Sequence, residues 1–494
     1  MIAAPILAAA VLVAPQAPAP QGTLVVGTLS EPVNLEPHLA TDVLGAEIVS
    51  NVCETLVRVR PGSLRPEGVL AITWATRDQR TWTFTLRRGV FFHDGTPFDA
   101  DAVVLNLEHL GRERAFPGRA QRIGPHVVQI TLDRANAALL STLSQPFYAV
   151  QSPRRLEGPE SGTPVGTGPF GLVSRKPGRV VLEAFQDYWG GAPRLSHVVF
   201  QRFTDDGALA RALLSGEVDV SSAIDQGRVD ELRAREEVTL DSQSGLNLGY
   251  LALNNERPPF DDARVRLALA RALDGSAIVD DVLQGYGEPA HAPLPPALFP
   301  QDSRARARTV GLDRERARRL LARAGVPDGF ETTLTVSAAP RPYLPEPRRL
   351  ADLVQEALAA IGLAARIREV PTWAEYVELT SRGDFDMALM GWQADTLDPN
   401  DFLTALLDSG SIGTTNRSRY RSEEMDRLLK QARMESASQM RGALYRRAHA
   451  LFQEEMPFVP LYHASVFTAR RREVNGLVAG PTGILYYGKA WKTE

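Results

Sequence analysis

Two hydrophobic rhythms alternate along the chain. In residues 82–87 (Trp-Thr-Phe-Thr-Leu-Arg) and 128–132 (Val-Gln-Ile-Thr-Leu) every second side chain is apolar. That period gathers the apolar set on one face, the mark of a half-buried strand. Residues 24–27, 180–185, 198–203 and 218–220, and the stretch around Ala365 and Ile367, predict further strands. Residues 385–392 differ, because only Asp386 interrupts their apolar run. Such a run fits a strand buried on both faces in a parallel or mixed sheet.

The second rhythm is helical. Residues 43–57 read as a helix, as do 425–433 and 440–452. Leu209 and Leu213 follow Asp205 and Asp206 and precede Gly216. Val265, Ala268, Leu269 and Ala272 follow Asp261 and Asp262. Ala317, Leu320, Leu321 and Ala324 lie between Asp313 and Gly325, and a stripe from Leu350 to Ile361 ends at Gly362. An aspartate ahead of an apolar stripe can accept the free N–H groups of the first turn, and a glycine behind it supplies the left-handed stop. Strands interleaved with helices give an α/β protein with several mixed sheets. Its 494 residues exceed the ~250–300 that one core holds, so at least two lobes are expected.

Charge and chemistry narrow the function by exclusion. The net charge is -4, from 55 basic against 59 acidic residues, with none of the basic excess of a nucleic-acid binder. Cys53 is the single cysteine, so neither an internal disulfide nor a cysteine-based metal site can form. It reads as a small buried helix residue. The eight histidines form no HExxH pair, and no GxSxG elbow occurs, which leaves a secreted α/β hydrolase as a distant alternative. His93-Asp94 sits in Phe-His-Asp-Gly-Thr-Pro, which is turn chemistry before it is an acid–base pair. Asp395, Asp398 and Asp401 are spaced like ligands of a hard cation, but Pro399 intervenes and the glycine and closing glutamate of a calcium loop are missing. Gly166-Thr167-Gly168-Pro169-Phe170 reads as a tight crossing rather than a phosphate loop. No metal and no cofactor is expected.

Residues 2–14 are apolar and 15–20 are Pro, Gln and Ala, so 1–21 is expected to be an export leader, although no basic residue precedes it. The run is too short for a membrane span of about 20 residues.

Several ordered motifs then carry a resemblance. They include 84–90 (Phe-Thr-Leu-Arg-Arg-Gly-Val), 92–98 and 100–103, Gly166 to Phe170, Tyr188-Trp189-Gly190-Gly191, and 214–219. Residues 251–255 with 258–269, and Met390-Gly391-Trp392-Gln393-Ala394-Asp395 with Asp398-Pro399, complete the set. From about Gly22 almost to the C-terminus the chain resembles the peptide/nickel class of extracytoplasmic solute-binding proteins of ABC importers, with motifs nearest the dipeptide binders. The resemblance implies a two-lobed, hinged periplasmic-binding-protein fold with an enlarged first lobe. Lobe I would comprise 22–248 and 468–494, and lobe II 249–467, with crossings near 247–254 and 464–470. It implies a monomeric periplasmic protein, not an enzyme, that binds a short peptide and meets a membrane permease. Asp395 would match the aspartate that holds a ligand's ammonium. Arg341, in Arg341-Pro342-Tyr343, would match the arginine that holds its carboxylate. Trp392 would wall the site and Tyr343 add a hydroxyl. A metal chelate, haem or other peptide-like ligand is the alternative, and a sensing role on the same fold is a further one.

Overall fold

The computed structural model describes residues 21–59, 65–112, 116–158, 162–298, 310–394, 396–435, 437–480 and 482–493. The expected leader lies outside them except for Gln21, and Asp395 lies outside them as well. One strand ties the molecule together. Phe458–Arg471 is 14 residues long and changes partner midway. Its first half pairs antiparallel with Asn247–Leu253, with Gly249 opposite Tyr462. Its second half pairs with Val238–Ser244, from Ser244 opposite Ser465 to Val238 opposite Arg471.

On one side of this exchange Met387–Gln393 lies antiparallel to Asn247–Leu253, and Phe330–Ser337 lies parallel both to Met387–Gln393 and to Leu363–Val370. On the other side Thr23–Thr28 lies parallel to His197–Arg202, which continues antiparallel through Arg179–Ala184 to Phe170–Lys176. A separate antiparallel sheet joins Ala71–Thr76, Thr81–Leu86, Val127–Leu132 and Gly118–Gly124. Parallel pairs are covered on both faces by their crossover helices, which explains the near-continuous apolar run before Trp392. Among the described residues no helix is long and apolar enough to cross a membrane.

The buried apolar side chains segregate with the sheets. The largest core runs from Leu246 to Ala464 and takes in only Val59 from the first part of the chain. Three smaller cores draw on 24–240 and 469–490. The chain is a two-lobed, mixed α/β protein. Asn247 fastens the crossing: its side chain donates to the Ala464 carbonyl at 2.9 Å and accepts from the Ala464 N–H at 2.8 Å. The Asn247 carbonyl lies 2.6 Å from His463 Nδ1. Away from the crossing, the Ala137 N–H donates to the Arg433 carbonyl at 2.9 Å.

The aspartate caps behave as their chemistry requires. Asp205, Asp262 and Asp313 each accept a backbone N–H of the helix they open. Gly216 and Gly325 close two of these helices at φ of 83° and 77°, a conformation that costs glycine nothing.

Two expected elements are shorter than the sequence suggests. The helix expected over 43–57 spans Val43–Val52, and Cys53 is already extended. There the Gly168 N–H takes the Val52 carbonyl at 2.9 Å. A Cβ at Gly168 would stand 2.7 Å from the Asn51 carbonyl oxygen, so the glycine crossing both ends the helix and must be glycine. Cys53 is thus just past the helix, 1% exposed, and burial pushes its thiol up, away from reactivity. The strand expected at 218–220 is Val220–Ser221 only. Asp219 is instead engaged by its side chain, accepting from the Val25 N–H and from Lys492, both at 2.7 Å.

Candidate ligand-binding site

Arg341 opens a closed reverse turn. The Leu344 N–H donates to the Arg341 carbonyl at 2.8 Å, and the Arg341 N–H to the Leu344 carbonyl at 3.0 Å. Pro342 presets the turn's backbone, and Leu344, 1% exposed, pins it to the larger core. The Arg341 guanidinium lies 4.1 Å from the centre of the Trp373 ring. Trp373 begins the helix Trp373–Arg382, whose N-cap is Thr372. Arg341 Nε is buried and has no hydrogen-bond partner among the described residues.

Tyr343, from the same turn, lays its ring on Gly391, where any Cβ would fall well inside van der Waals contact of that ring. Burial pushes its phenol up, and the nearby Arg341 charge opposes this. Gly391 is the register partner of Gly249. A Cβ at Gly249 would stand 2.6 Å from the ring of Tyr462. Two glycines in register therefore admit two tyrosine rings, and the Tyr462 hydroxyl donates to the Tyr343 carbonyl at 3.2 Å.

Trp392 follows Gly391 on the strand, so alternation directs its side chain to the opposite face from Tyr343. Its indole N–H is buried and has no partner among the described residues. Arg341 and Tyr343 are thus brought together on one turn, and Trp392 approaches from the other side of the strand that turn covers. Two buried donors, Arg341 Nε and Trp392 Nε1, stand ready for acceptors that the described residues do not supply.

The other aspartates of the Asp395 segment have structural partners. Asp398 accepts two 2.7 Å bonds from Arg441 and caps the helix Pro399–Leu407 through the Asn400 N–H. Asp401 accepts from the Thr396 N–H at 3.1 Å. The described residues hold no group of three or more His, Cys, Asp or Glu suited to a metal ion. His93-Asp94 is the turn its residues suggest. The Asp94 carboxylate accepts from Ser152 at 2.5 Å and from the Thr96 N–H at 2.9 Å, and His93 Nε2 lies 2.9 Å from the Gly168 carbonyl.

Sequence reasoning did not reach Trp373, Tyr462 or Glu54 as functional or structural partners, and it reached Asn247 only as the start of the expected crossing. Trp373 had one signal, its place just after a threonine cap. Glu54 is a hub: its carboxylate accepts from Thr167 at 2.8 Å, Tyr188 at 2.8 Å and Trp189 at 2.7 Å. Burial pushes its proton affinity up, against those three bonds. Arg87 stacks on Trp189 at 3.9 Å. The Gly166–Phe170 and Tyr188–Gly191 motifs therefore meet at Glu54 as folding devices, beside a cavity of about 470 Å³ remote in sequence from Arg341.

Known proteins match this chain along most of its length. Residues 34–414 fit the family model described as bacterial extracellular solute-binding proteins, family 5. Heme-binding protein A of Haemophilus influenzae is 31% identical over 474 residues, covering 88% of this chain and 86% of that protein. Di/tripeptide-binding protein 1 of Pseudomonas aeruginosa is 31% identical over 453 residues, covering 84% of each. The crystal structure of a dipeptide-binding protein from Pseudoalteromonas in complex with Met-Leu superposes with a TM-score of 0.80 at 27% identity, covering 95% of this chain and 100% of that one. With the family model fitting residues 34–414 and relatives 31% identical over more than four-fifths of the chain, the chain belongs to family 5 of the bacterial extracellular solute-binding proteins.

Proposed function

We propose that this protein is the substrate-binding component of an ABC importer and encloses a short zwitterionic peptide, a dipeptide foremost, between its lobes. The observation that carries this reading is Arg341. A guanidinium held on a closed turn, with a buried N–H that has no partner among the described residues, suits a ligand carboxylate, which it can grip at two points. Asp395 takes the ammonium in this reading, Trp392 forms a wall and offers its indole N–H, and Tyr343 lines the turn. Lobe I is 22–248 with 468–494, and lobe II is 249–467. The segregated cores support that division. The protein is exported to the periplasm behind the leader 1–21, acts as a monomer without catalysis, and delivers its ligand to a membrane permease. The di/tripeptide-binding and Met-Leu-bound relatives support the ligand class.

Calorimetry with dipeptides, tripeptides and tetrapeptides tests it. Each added residue displaces one terminus by about 3.3–3.6 Å, so dipeptides should bind at least about tenfold tighter than tetrapeptides. Equal affinities remove the dipeptide assignment. Asp395→Asn should weaken binding without lowering the melting temperature of the free protein. A second reading, haem or a metal chelate, is favoured by the haem-binding relative. Native mass spectrometry of the freshly purified protein separates the two by the mass that co-purifies.

A further inference from the structure

Among the described residues Arg341 is held by an aromatic face and not by an acid. Its guanidinium carbon sits 4.1 Å from the centre of the Trp373 ring, and its Nε has no partner among the described residues. The difference matters chemically. A carboxylate would hold the guanidinium by its N–H edges and cancel its charge, so a ligand would have to displace it. An indole holds the plane by its π face, leaving the edge donors and the charge available.

Trp373 is itself fixed. Its ring centre is 5.6 Å from that of Tyr376, one helical turn on, which is fully buried. The Tyr376 hydroxyl donates to the Leu389 carbonyl at 2.6 Å. Leu389 precedes Gly391 and Trp392 on the same strand. The arginine plane is therefore referenced through Trp373 and Tyr376 to the strand that carries Trp392.

We infer that Trp373 is a positioning residue for ligand recognition: its indole face orients Arg341 so that the site selects ligands with a free terminal carboxylate. This rests on the reading of Arg341 as the carboxylate clamp. Trp373 makes that selectivity a property of two side chains, and Trp373→Leu should remove it while keeping apolar bulk.

The experiment compares Met-Leu with its C-terminal amide by calorimetry in the wild type, Trp373→Leu and Trp373→Phe, with the melting temperature of each free protein recorded. Wild type should prefer the acid by at least about tenfold. Trp373→Leu should shrink that ratio at least about threefold, mainly by weakening the acid, and Trp373→Phe should keep most of it because a π face remains. A Trp373→Leu ratio equal to wild type overturns the inference, as does an equal loss for acid and amide, which marks general damage. If Trp373→Leu does not fold, Trp373→Met, which also lacks a π face, carries the test beside Trp373→Phe, and a Trp373→Met ratio equal to wild type overturns it. A wild-type ratio near one removes the carboxylate clamp itself, and the inference with it, a result separate from a preserved ratio in the variant.

Discussion

The hydroxyl of Tyr462 donates to the backbone carbonyl of Tyr343 across 3.2 Å, so the strand that crosses between the lobes holds the turn that presents Arg341. Through this bond any rearrangement of Phe458–Arg471 would be felt directly at that turn. Tyr462→Phe keeps the ring over Gly249 and removes only this bond. A neutral hydrogen bond contributes about 0.5–1.5 kcal/mol. The variant should fold, melt within a few degrees of wild type, and bind peptide several-fold more weakly through a faster off-rate. Stopped-flow and calorimetry together check this, and an unchanged off-rate disconnects the crossing strand from the turn.

The glycine beneath Tyr343 gives a sharper steric test. Gly391→Ala puts a methyl group into the space that the Tyr343 ring occupies. Overpacking of this kind costs about 1–3 kcal/mol and displaces the turn with its arginine. Peptide affinity should fall by tenfold or more. Tyr343→Ala in the same chain should restore part of the loss, because the obstructing ring is gone. A double variant whose loss equals or exceeds the sum of the two single losses would show that ring and methyl do not compete for one space.

How much of this was legible in the sequence depends on the range of the physics involved. Asp205, Asp262 and Asp313 were readable as caps because a cap acts within three residues. The period-two strands at Thr81–Leu86 and Val127–Leu132 announced themselves the same way. Phe458–Arg471 did not, because its residues 458–464 are all buried and show no alternation. Of the site, Arg341, Tyr343 and Trp392 came from motif resemblance and not from periodicity. Trp373 and Tyr462 stayed hidden because their partners lie 32 and 119 residues away, and only the fold supplies those contacts. The helix expected through 57 ended at Val52 for a similar reason: Gly166 and Gly168, over 110 residues downstream, pack against its last carbonyls.

The segment after Asp395 is anchored by a buried ion pair whose loss should be severe. Arg441 grips both oxygens of Asp398 at 2.7 Å, with side chains 16% and 6% exposed, and Tyr445 donates to Asp398 at 3.3 Å. Arg441→Met leaves a buried carboxylate without its cation, which typically costs about 3–5 kcal/mol. Asp398→Asn with Arg441→Met should lose less than the two single changes added together, since neither charge is then stranded. Urea titrations monitored by tryptophan fluorescence measure all three, and strict additivity would mean that the pair does not act as a unit.

Two buried groups should give the free protein opposing pH dependences. His463, at the lobe crossing, is pushed from 6.5 down to about 4 by burial, opposed by its bond to the Asn247 carbonyl and by the Glu288 charge. Its folded form resists protonation, so between about 6.5 and 4 the unfolded chain binds the extra proton. Stability from this group is complete above 6.5 and is lost as the pH falls through that window, by about 3 kcal/mol in all. Glu47, packed under Tyr487, is pushed from 4.5 up to about 7 by burial, opposed by the bond it accepts from the Tyr487 hydroxyl. Here the folded form holds the proton more tightly. Stability from Glu47 is complete below 4.5 and is lost as the pH rises towards 7, again by about 3 kcal/mol. The windows overlap between 4.5 and 6.5, where the two slopes cancel and the wild type should show little net dependence from this pair. Each single variant exposes the other group. His463→Gln, whose amide can still donate to Asn247, should become more stable relative to pH 7 as the pH falls to 5. Glu47→Gln should become less stable over the same range. Urea midpoints at half-unit pH steps read both slopes, and parallel curves for wild type, His463→Gln and Glu47→Gln would show that neither group titrates on folding.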